Sequence, residues 1–66
     1  MKVTVESRDF KKKVALNSGA TIERLFLKTN LRADDFVVSR NGEIILRDER
    51  LKDGDRVKLY PVISGG

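Results

Sequence analysis

The sequence has 66 residues, lacks cysteine and histidine, and carries a formal net charge of +4. A chain of this length forms one domain that buries only ~60% of the surface exposed by the unfolded chain, and no disulfide can stabilise it. The first residues resemble a strand rather than a secretory signal, and no apolar run approaches the ~20 residues of a membrane-spanning helix. These features predict a small cytoplasmic protein that does not associate with membranes.

Charged residues form 36% of the sequence, and both signs are interspersed. The one dense cluster is Lys11, Lys12 and Lys13, in a segment with strand character where alternation places Lys12 opposite the other two. Lysines on an edge strand protect a sheet from edge-to-edge aggregation, and we favour this interpretation over direct phosphate binding. The net charge is also too small to indicate nucleic acid by itself, so direct nucleic-acid binding is not expected.

The first half of the chain predicts a hairpin followed by a helix. Apolar and polar residues alternate over residues 2–6 and again over residues 10–16, which is typical of two half-buried strands. Thr21 is well placed to cap the amino terminus of a helix, and Asn30 to end it in the left-handed conformation. The residues between them predict one short amphipathic helix, with apolar side chains at helical spacing at Ile22, Leu25 and Phe26.

Three further strands are predicted in the second half. Residues 36–40 and 43–46 flank Asn41-Gly42, the strongest hairpin signal in the sequence. Asp53-Gly54-Asp55 predicts a tight turn that needs glycine and leads into a last strand over residues 57–60. A cation site is the alternative for this turn, but its two carboxylates lack the remaining ligands of a calcium loop.

The order of these elements, ββαβββ, predicts an α+β fold. One helix packs across one face of a mixed sheet of about five strands, as in a ubiquitin-like β-grasp. A helix that crosses between the second and third strands allows the first and last strands to be central neighbours. If Val57 and Leu59 face the helix, then Lys58 and Tyr60 point to the opposite face of the sheet.

The sequence changes character after the last predicted strand. Pro61 lacks a backbone N–H, so it marks the point where pairing in the sheet stops or faces solvent. We therefore divide the chain into a domain of residues 1–62 and a flexible tail of residues 63–66, which contains Ser64, Gly65 and Gly66. A terminal glycine presents an unhindered carboxylate on a thin backbone that can enter the active site of another protein.

Two stretches of the second half are distinctive, residues 51–57, LKDGDRV, and residues 60–66, YPVISGG. Together with the hairpin of residues 40–45 and the start of the helix at residues 19–22, they resemble the MoaD/ThiS family of ubiquitin-like sulfur carriers. The resemblance implies a β-grasp fold and a C-terminal Gly66 that an ATP-dependent activating enzyme adenylates and that is then converted to a thiocarboxylate. A downstream synthase or thiolase would accept the sulfur in molybdopterin biosynthesis, thiamine biosynthesis or tRNA thiolation.

The resemblance also implies how the partner binds. In the similar carriers, apolar residues at the positions of Ile44 and Tyr60 meet the activating enzyme, and alternation leaves only one of Ile44 and Ile45 beneath the helix. We predict a partner-binding surface that contains Ile44, Tyr60, Pro61 and Val62. The chain itself is expected to bind no cofactor and no metal, because the activating enzyme and its partners supply ATP and the sulfur donor. It is also expected to be monomeric when free.

Two alternatives to a sulfur carrier are kept. A ubiquitin-like modifier would use the same activation but end in an isopeptide bond between Gly66 and a lysine of a target protein. A small basic RNA-binding module would bind RNA with steep salt dependence and would not need the tail. An enzyme is not expected, because a chain without cysteine or histidine offers neither a thiol nucleophile nor a base poised near neutral pH.

Overall fold

The computed structural model describes residues 1–62 of the chain, and the predicted tail of residues 63–66 lies outside the described residues. The described residues form five strands and one α-helix in the predicted order, with a short 3₁₀ turn at Ala33–Asp35 before the third strand. The elements are β1 Lys2–Glu6, β2 Lys11–Ala15, α1 Ile22–Thr29, β3 Phe36–Arg40, β4 Glu43–Ile45 and β5 Arg56–Pro61. The fourth strand thus ends one residue before its predicted end, and the fifth extends one residue further at each end.

The five strands form one mixed sheet in the order β2-β1-β5-β3-β4. The two central strands, β1 and β5, are parallel, with Val5 opposite Val57, and the other neighbours are antiparallel. The predicted pairing of the first and last strands is therefore confirmed. With α1 packed on one side of this sheet, the chain has a ubiquitin-like β-grasp fold.

The core lies between α1 and one face of the sheet. The helix contributes Ile22, Leu25 and Phe26, and the Phe26 ring stacks on that of Phe36 with centroids 6.1 Å apart. The strands and loops contribute the other buried apolar side chains, Val3, Val5, Val14, Leu16, Val38, Leu51, Val57 and Leu59. Since each such side chain contributes roughly 1.5–3 kcal/mol when fully buried, this layer carries most of the stability of the domain.

Local hydrogen bonds fix the ends of α1 as the sequence predicts. The Thr21 hydroxyl oxygen accepts a hydrogen bond from the Arg24 backbone N–H at 3.3 Å, and Thr21 has an extended backbone. Asn30 adopts the left-handed conformation at φ 59°, and the next residue, Leu31, donates its N–H to the Phe26 carbonyl at 3.1 Å. The helix is therefore stopped by its own sequence as well as by packing.

Two turns on the same end of the sheet are joined by the buried carboxylate of Asp55. Its oxygens accept hydrogen bonds from the Lys52 N–H at 2.8 Å and from the Asn41 side-chain amide at 3.2 Å. The Asn41 side-chain oxygen in turn accepts from the Arg56 N–H at 3.0 Å. Gly54, at φ 84°, completes the turn in a conformation that favours glycine. Both Asp55 oxygens thus have partners within the protein, which supports the structural interpretation of Asp53-Gly54-Asp55.

The lysine cluster lies on β2, which is an edge strand of the sheet. Lys11 and Lys13 lie on the face away from the helix, and the Lys12 ammonium sits over the Phe10 ring, 5.2 Å from its centroid. The alternation and the edge position predicted for these residues are confirmed. Within residues 1–62, no helix has the length and hydrophobicity needed to cross a membrane.

Candidate docking surface

The last strand leads directly toward the predicted tail. Pro61 is the final residue of β5 and pairs with Phe36, and the Val62 N–H still donates to the Asp35 carbonyl at 2.8 Å. Backbone hydrogen bonding therefore continues one residue beyond Pro61, where we expected pairing either to stop or to face solvent. Because of this bond, the point at which the chain passes into residues 63–66 is fixed relative to the sheet. Ser64, Gly65 and Gly66 themselves lie outside the described residues.

Alternation along β5 separates its core residues from its exposed ones as predicted. Val57 and Leu59 are buried beneath the helix, whereas Lys58 and Tyr60 lie on the opposite face. The Tyr60 side chain is 48% exposed, so about half of its large surface is available for contact with a partner. Buried tyrosine at the centre of an interface is a common source of binding energy, because a rigid ring loses little conformational entropy.

The short strand β4 places Ile44 on the same outer face as Tyr60. Ile44 is 67% exposed, whereas Ile45 is half-buried and packs against the core. Ile44 lies opposite Ser39 on β3, and Ser39 lies opposite Lys58 on β5. The spacing of strands and residues therefore separates Ile44 from Tyr60 by on the order of 12 Å. The choice of Ile44 over Ile45 as the exposed residue is confirmed.

Two further apolar side chains belong to this surface and were missed in the sequence. Val37, 40% exposed, lies opposite Tyr60 on β3, and Leu46, 72% exposed, follows Ile44 by two residues, so alternation places it on the same side. Val37, Ile44 and Leu46 also border a depression of about 290 Å³ that reaches around the edge of the sheet to Phe26 and Phe36. Val37 could have been found, because alternation puts it on the face opposite the core residue Val38. We call Val37, Ile44, Leu46 and Tyr60 the apolar patch.

The remaining predicted partner-binding residues, Pro61 and Val62, lie at the end of β5 close to Tyr60. Val62 follows Tyr60 by two residues and is exposed beside the patch. Pro61 borders a cleft of about 340 Å³ between the end of β5 and residues 6–8, and Lys58 and Tyr60 line the same cleft. This cleft opens because pairing of β1 with β5 ends at Glu6 and Lys58.

The described residues bury few polar side chains. Within residues 1–62, carboxylates do not form a group of three or more that could hold a metal ion. The buried polar side chains are Ser39 and Asp55, and the Asp55 carboxylate is held by the two turns described above. What the surface offers a partner is therefore the apolar patch, next to the strand that leads to the tail.

Comparison with known proteins identifies the family. Residues 1–66 match the family model of the ThiS family, so the match spans the fold and the glycine tail. The chain belongs to the ThiS family. The resemblance read from residues 51–57 and 60–66 is thereby confirmed.

Solved structures from three organisms share the fold of this ThiS-family chain. It is similar to a putative molybdopterin converting factor subunit 1 from Pyrococcus furiosus, with a TM-score of 0.78 and 25% identity over 94% of this chain and 98% of that one. It is also similar to SAMP1 from Haloferax volcanii, with a TM-score of 0.70 and 22% identity over 100% of both chains. A third likeness is to the complex of subunits 1 and 2 of molybdopterin-converting factor from Helicobacter pylori, with a TM-score of 0.74 and 21% identity over 100% of both chains. The last two likenesses support the fold alone.

Proposed function

We propose that this chain is a ubiquitin-like sulfur carrier that acts through Gly66. The observation that carries the proposal is the match of residues 1–66 to the ThiS family, which includes the Gly65-Gly66 ending as well as the domain. The end of the last strand supports it, because β5 runs to Pro61 and the next residue, Val62, is exposed beside the apolar patch. A partner that binds the patch would therefore hold the tail close to its own active site.

The proposed chemistry converts a poor electrophile into a reactive one. A carboxylate oxygen of Gly66 attacks the α-phosphorus of ATP, which releases pyrophosphate and forms an acyl-adenylate. A sulfur nucleophile then attacks the acyl carbon, AMP leaves, and the terminus becomes a thiocarboxylate. The activating enzyme supplies the ATP site and its partners supply the sulfur, so the carrier is a protein substrate rather than an enzyme. A synthase or thiolase of molybdopterin, thiamine or tRNA thiolation chemistry then accepts the sulfur.

The apolar patch is the proposed docking site for the activating enzyme. Its four side chains present exposed apolar surface on a rigid sheet, which lowers the entropy lost on binding. Tyr60 is the proposed anchor, since it lies opposite Val37 and two residues before Val62, the last residue that the structure describes. The Helicobacter pylori protein, whose structure is a complex of subunits 1 and 2, is an example of this fold bound to a partner.

The tail provides the direct test. Intact-mass analysis of the protein from its native cells should show a fraction of chains in which one oxygen is replaced by sulfur. Deletion of Gly65 and Gly66 should abolish this species and ATP–pyrophosphate exchange with the purified activating enzyme, while Ser64→Ala, which keeps both glycines, should retain them. Thermal unfolding should be nearly the same in all three proteins, because no residue of the core is changed.

The outcome also separates the carrier from a protein modifier. Adducts of other proteins through Gly66, recovered without any thiocarboxylate, would show that conjugation to lysine is the function. Sulfur transfer that persists after deletion of Gly65 and Gly66 would contradict a function through Gly66, whether as a sulfur carrier or as a protein modifier.

A further inference from the structure

The outer face of the sheet carries a second surface beside the apolar patch. Strand register brings Lys13 on β2, Thr4 on β1 and Arg56 on β5 into one row across three strands. The next row contains Lys11, Glu6 and Lys58. All four basic side chains are exposed, and we call Lys11, Lys13, Arg56 and Lys58 the basic face.

Most of the net charge of the protein lies on this face. Four of the 14 basic residues and one of the ten acidic residues, Glu6, lie in the two rows, which leaves ten basic and nine acidic residues elsewhere. The face therefore accounts for three of the four net positive charges. The ion pairs found within residues 1–62 join Arg40 to Glu49 and Arg47 to Asp34, so neither neutralises it.

Protection of a sheet edge explains only half of the basic face. It accounts for Lys11 and Lys13, which lie on the edge strand β2. Arg56 and Lys58, however, lie on β5, which has a paired neighbour on each side and needs no protection. The Lys13 row has no acidic member, and together with Lys11, Lys12 and Gly54 it borders a depression of about 650 Å³. Such a depression can receive carboxylates of a partner between Lys13 and Arg56.

The basic face is continuous with the apolar patch. Lys58 lies opposite Ser39, which is buried between Lys58 and Ile44, and Tyr60 follows Lys58 by two residues on the same face. An apolar centre bordered by charges of one sign is a typical arrangement for binding a protein of opposite charge. Nucleic acid is less well matched, because single strands are bound by stacking on several aromatic rings. On this face, within residues 1–62, Tyr60 is the sole aromatic side chain, since Phe26 and Phe36 stack at the core and Phe10 packs against it.

We propose that the protein partner that docks on the apolar patch carries an acidic surface, whose carboxylates pair with Lys13 and Arg56. This inference deepens the proposed function and rests on it for the identity of the partner, the activating enzyme. Opposite charges accelerate diffusional encounter, so the basic face should govern the association rate more than the chemical step at Gly66.

The test compares two double charge reversals in the full-length chain. Lys13→Glu with Arg56→Glu changes the basic face, and Arg32→Glu with Arg50→Glu makes the same change in net charge at exposed positions outside it. Stopped-flow association with the purified activating enzyme should be slowed about tenfold or more at low salt by the first pair and within about twofold by the second. The wild-type rate should fall with added salt, and the rate of the Lys13/Arg56 variant should respond much less.

Controls keep this test separate from that of the proposed function. Circular dichroism shows whether the Lys13/Arg56 charge reversal folds. If it does not, Lys13→Gln with Arg56→Gln takes its place and should slow association by a factor between those of the wild type and the reversal. Association without pyrophosphate exchange would remove the proposed function but leave the basic face as a docking surface. Normal pyrophosphate exchange, with equal association rates for both charge reversals, would overturn the inference of an acidic partner surface alone. An activating enzyme that neither associates with the chain nor adenylates it would overturn this inference and the proposed function. Binding of transfer RNA that is lost in the Lys13/Arg56 variant, with enzyme association unchanged, would overturn the choice of an acidic protein.

Discussion

The two faces of the sheet differ in composition and therefore in function. Over β1 and β5, the face beneath α1 is apolar and closed, with Val3, Val5, Val57 and Leu59 buried against the helix. The opposite face is open and divided into the basic face and the apolar patch. A single residue step along β5 moves from one to the other, because successive side chains of a strand point to opposite sides. Substitutions of neighbouring residues should therefore separate stability from binding.

The largest expected effect on stability lies on the closed face. Leu25→Ala removes a buried helix side chain and should lower the free energy of unfolding by roughly 2–5 kcal/mol, from lost transfer energy and the cavity left behind. Leu27→Ala is the matched control on the same helix, since Leu27 is exposed, and should cost less than about 0.5 kcal/mol. Urea unfolding of the two variants measures the difference. Equal stability would mean that α1 does not pack as described.

On the open face, the expected loss is in binding instead. Tyr60→Ala should weaken binding of the activating enzyme by about 2 kcal/mol or more, because an aromatic anchor in an apolar patch is a typical hot spot. Ile44→Arg should weaken it as well by placing a charge in the patch. Both variants should retain the wild-type circular dichroism spectrum, and Leu27→Ala, an exposed apolar residue on the helix, should bind normally. Unimpaired pyrophosphate exchange by both patch variants would remove the docking claim.

Local patterns in the sequence were sufficient to predict most of the fold. Alternation located the strands, and Thr21, Asn30 and Asn41-Gly42 marked ends and turns through their own backbone preferences. The strand order came from the resemblance, because pairing of β1 with β5 joins residues about fifty positions apart. Asp55 was assigned to a turn, but its partner Asn41 lies fourteen residues away, and no local pattern reports that contact.

The apolar patch and the basic face were predicted only in part, because each joins residues that are distant in the sequence. Ile44 and Tyr60 came from the resemblance, and alternation along each strand placed them on the outer face. Alternation could have placed Val37 on the outer face, but its position opposite Tyr60 becomes apparent only from the pairing of β3 with β5. The basic face was invisible in the sequence, where Lys13 and Arg56 are distant and only Lys11, Lys12 and Lys13 form a cluster. Register across three strands brings these charges together.

A smaller effect on stability is expected at the turn that leads into β5. Gly54→Val should cost on the order of 1–3 kcal/mol, because Gly54 has φ 84° and a β-branched residue is strained there. A Cβ atom at this position would meet no other atom within 4 Å, so the cost reports chiefly the backbone conformation. Gly54→Asn is the control and should cost less, since Asn30 and Asn41 already adopt positive φ in this chain. Equal losses for valine and asparagine would argue against this cause.

The smallest effect is expected at Lys12, which lies between two residues of the basic face. Its ammonium lies over the Phe10 ring, on the side of β2 opposite Lys11 and Lys13. Lys12→Ala should therefore cost about 0.5–1 kcal/mol of stability, the usual worth of an exposed cation–π contact, and leave association with the activating enzyme unchanged. Lys13→Ala should do the reverse, with wild-type stability and slower association at low salt. Thermal unfolding and stopped-flow association of the two variants test whether Lys12 and Lys13, adjacent on β2, lie on opposite sides of the sheet.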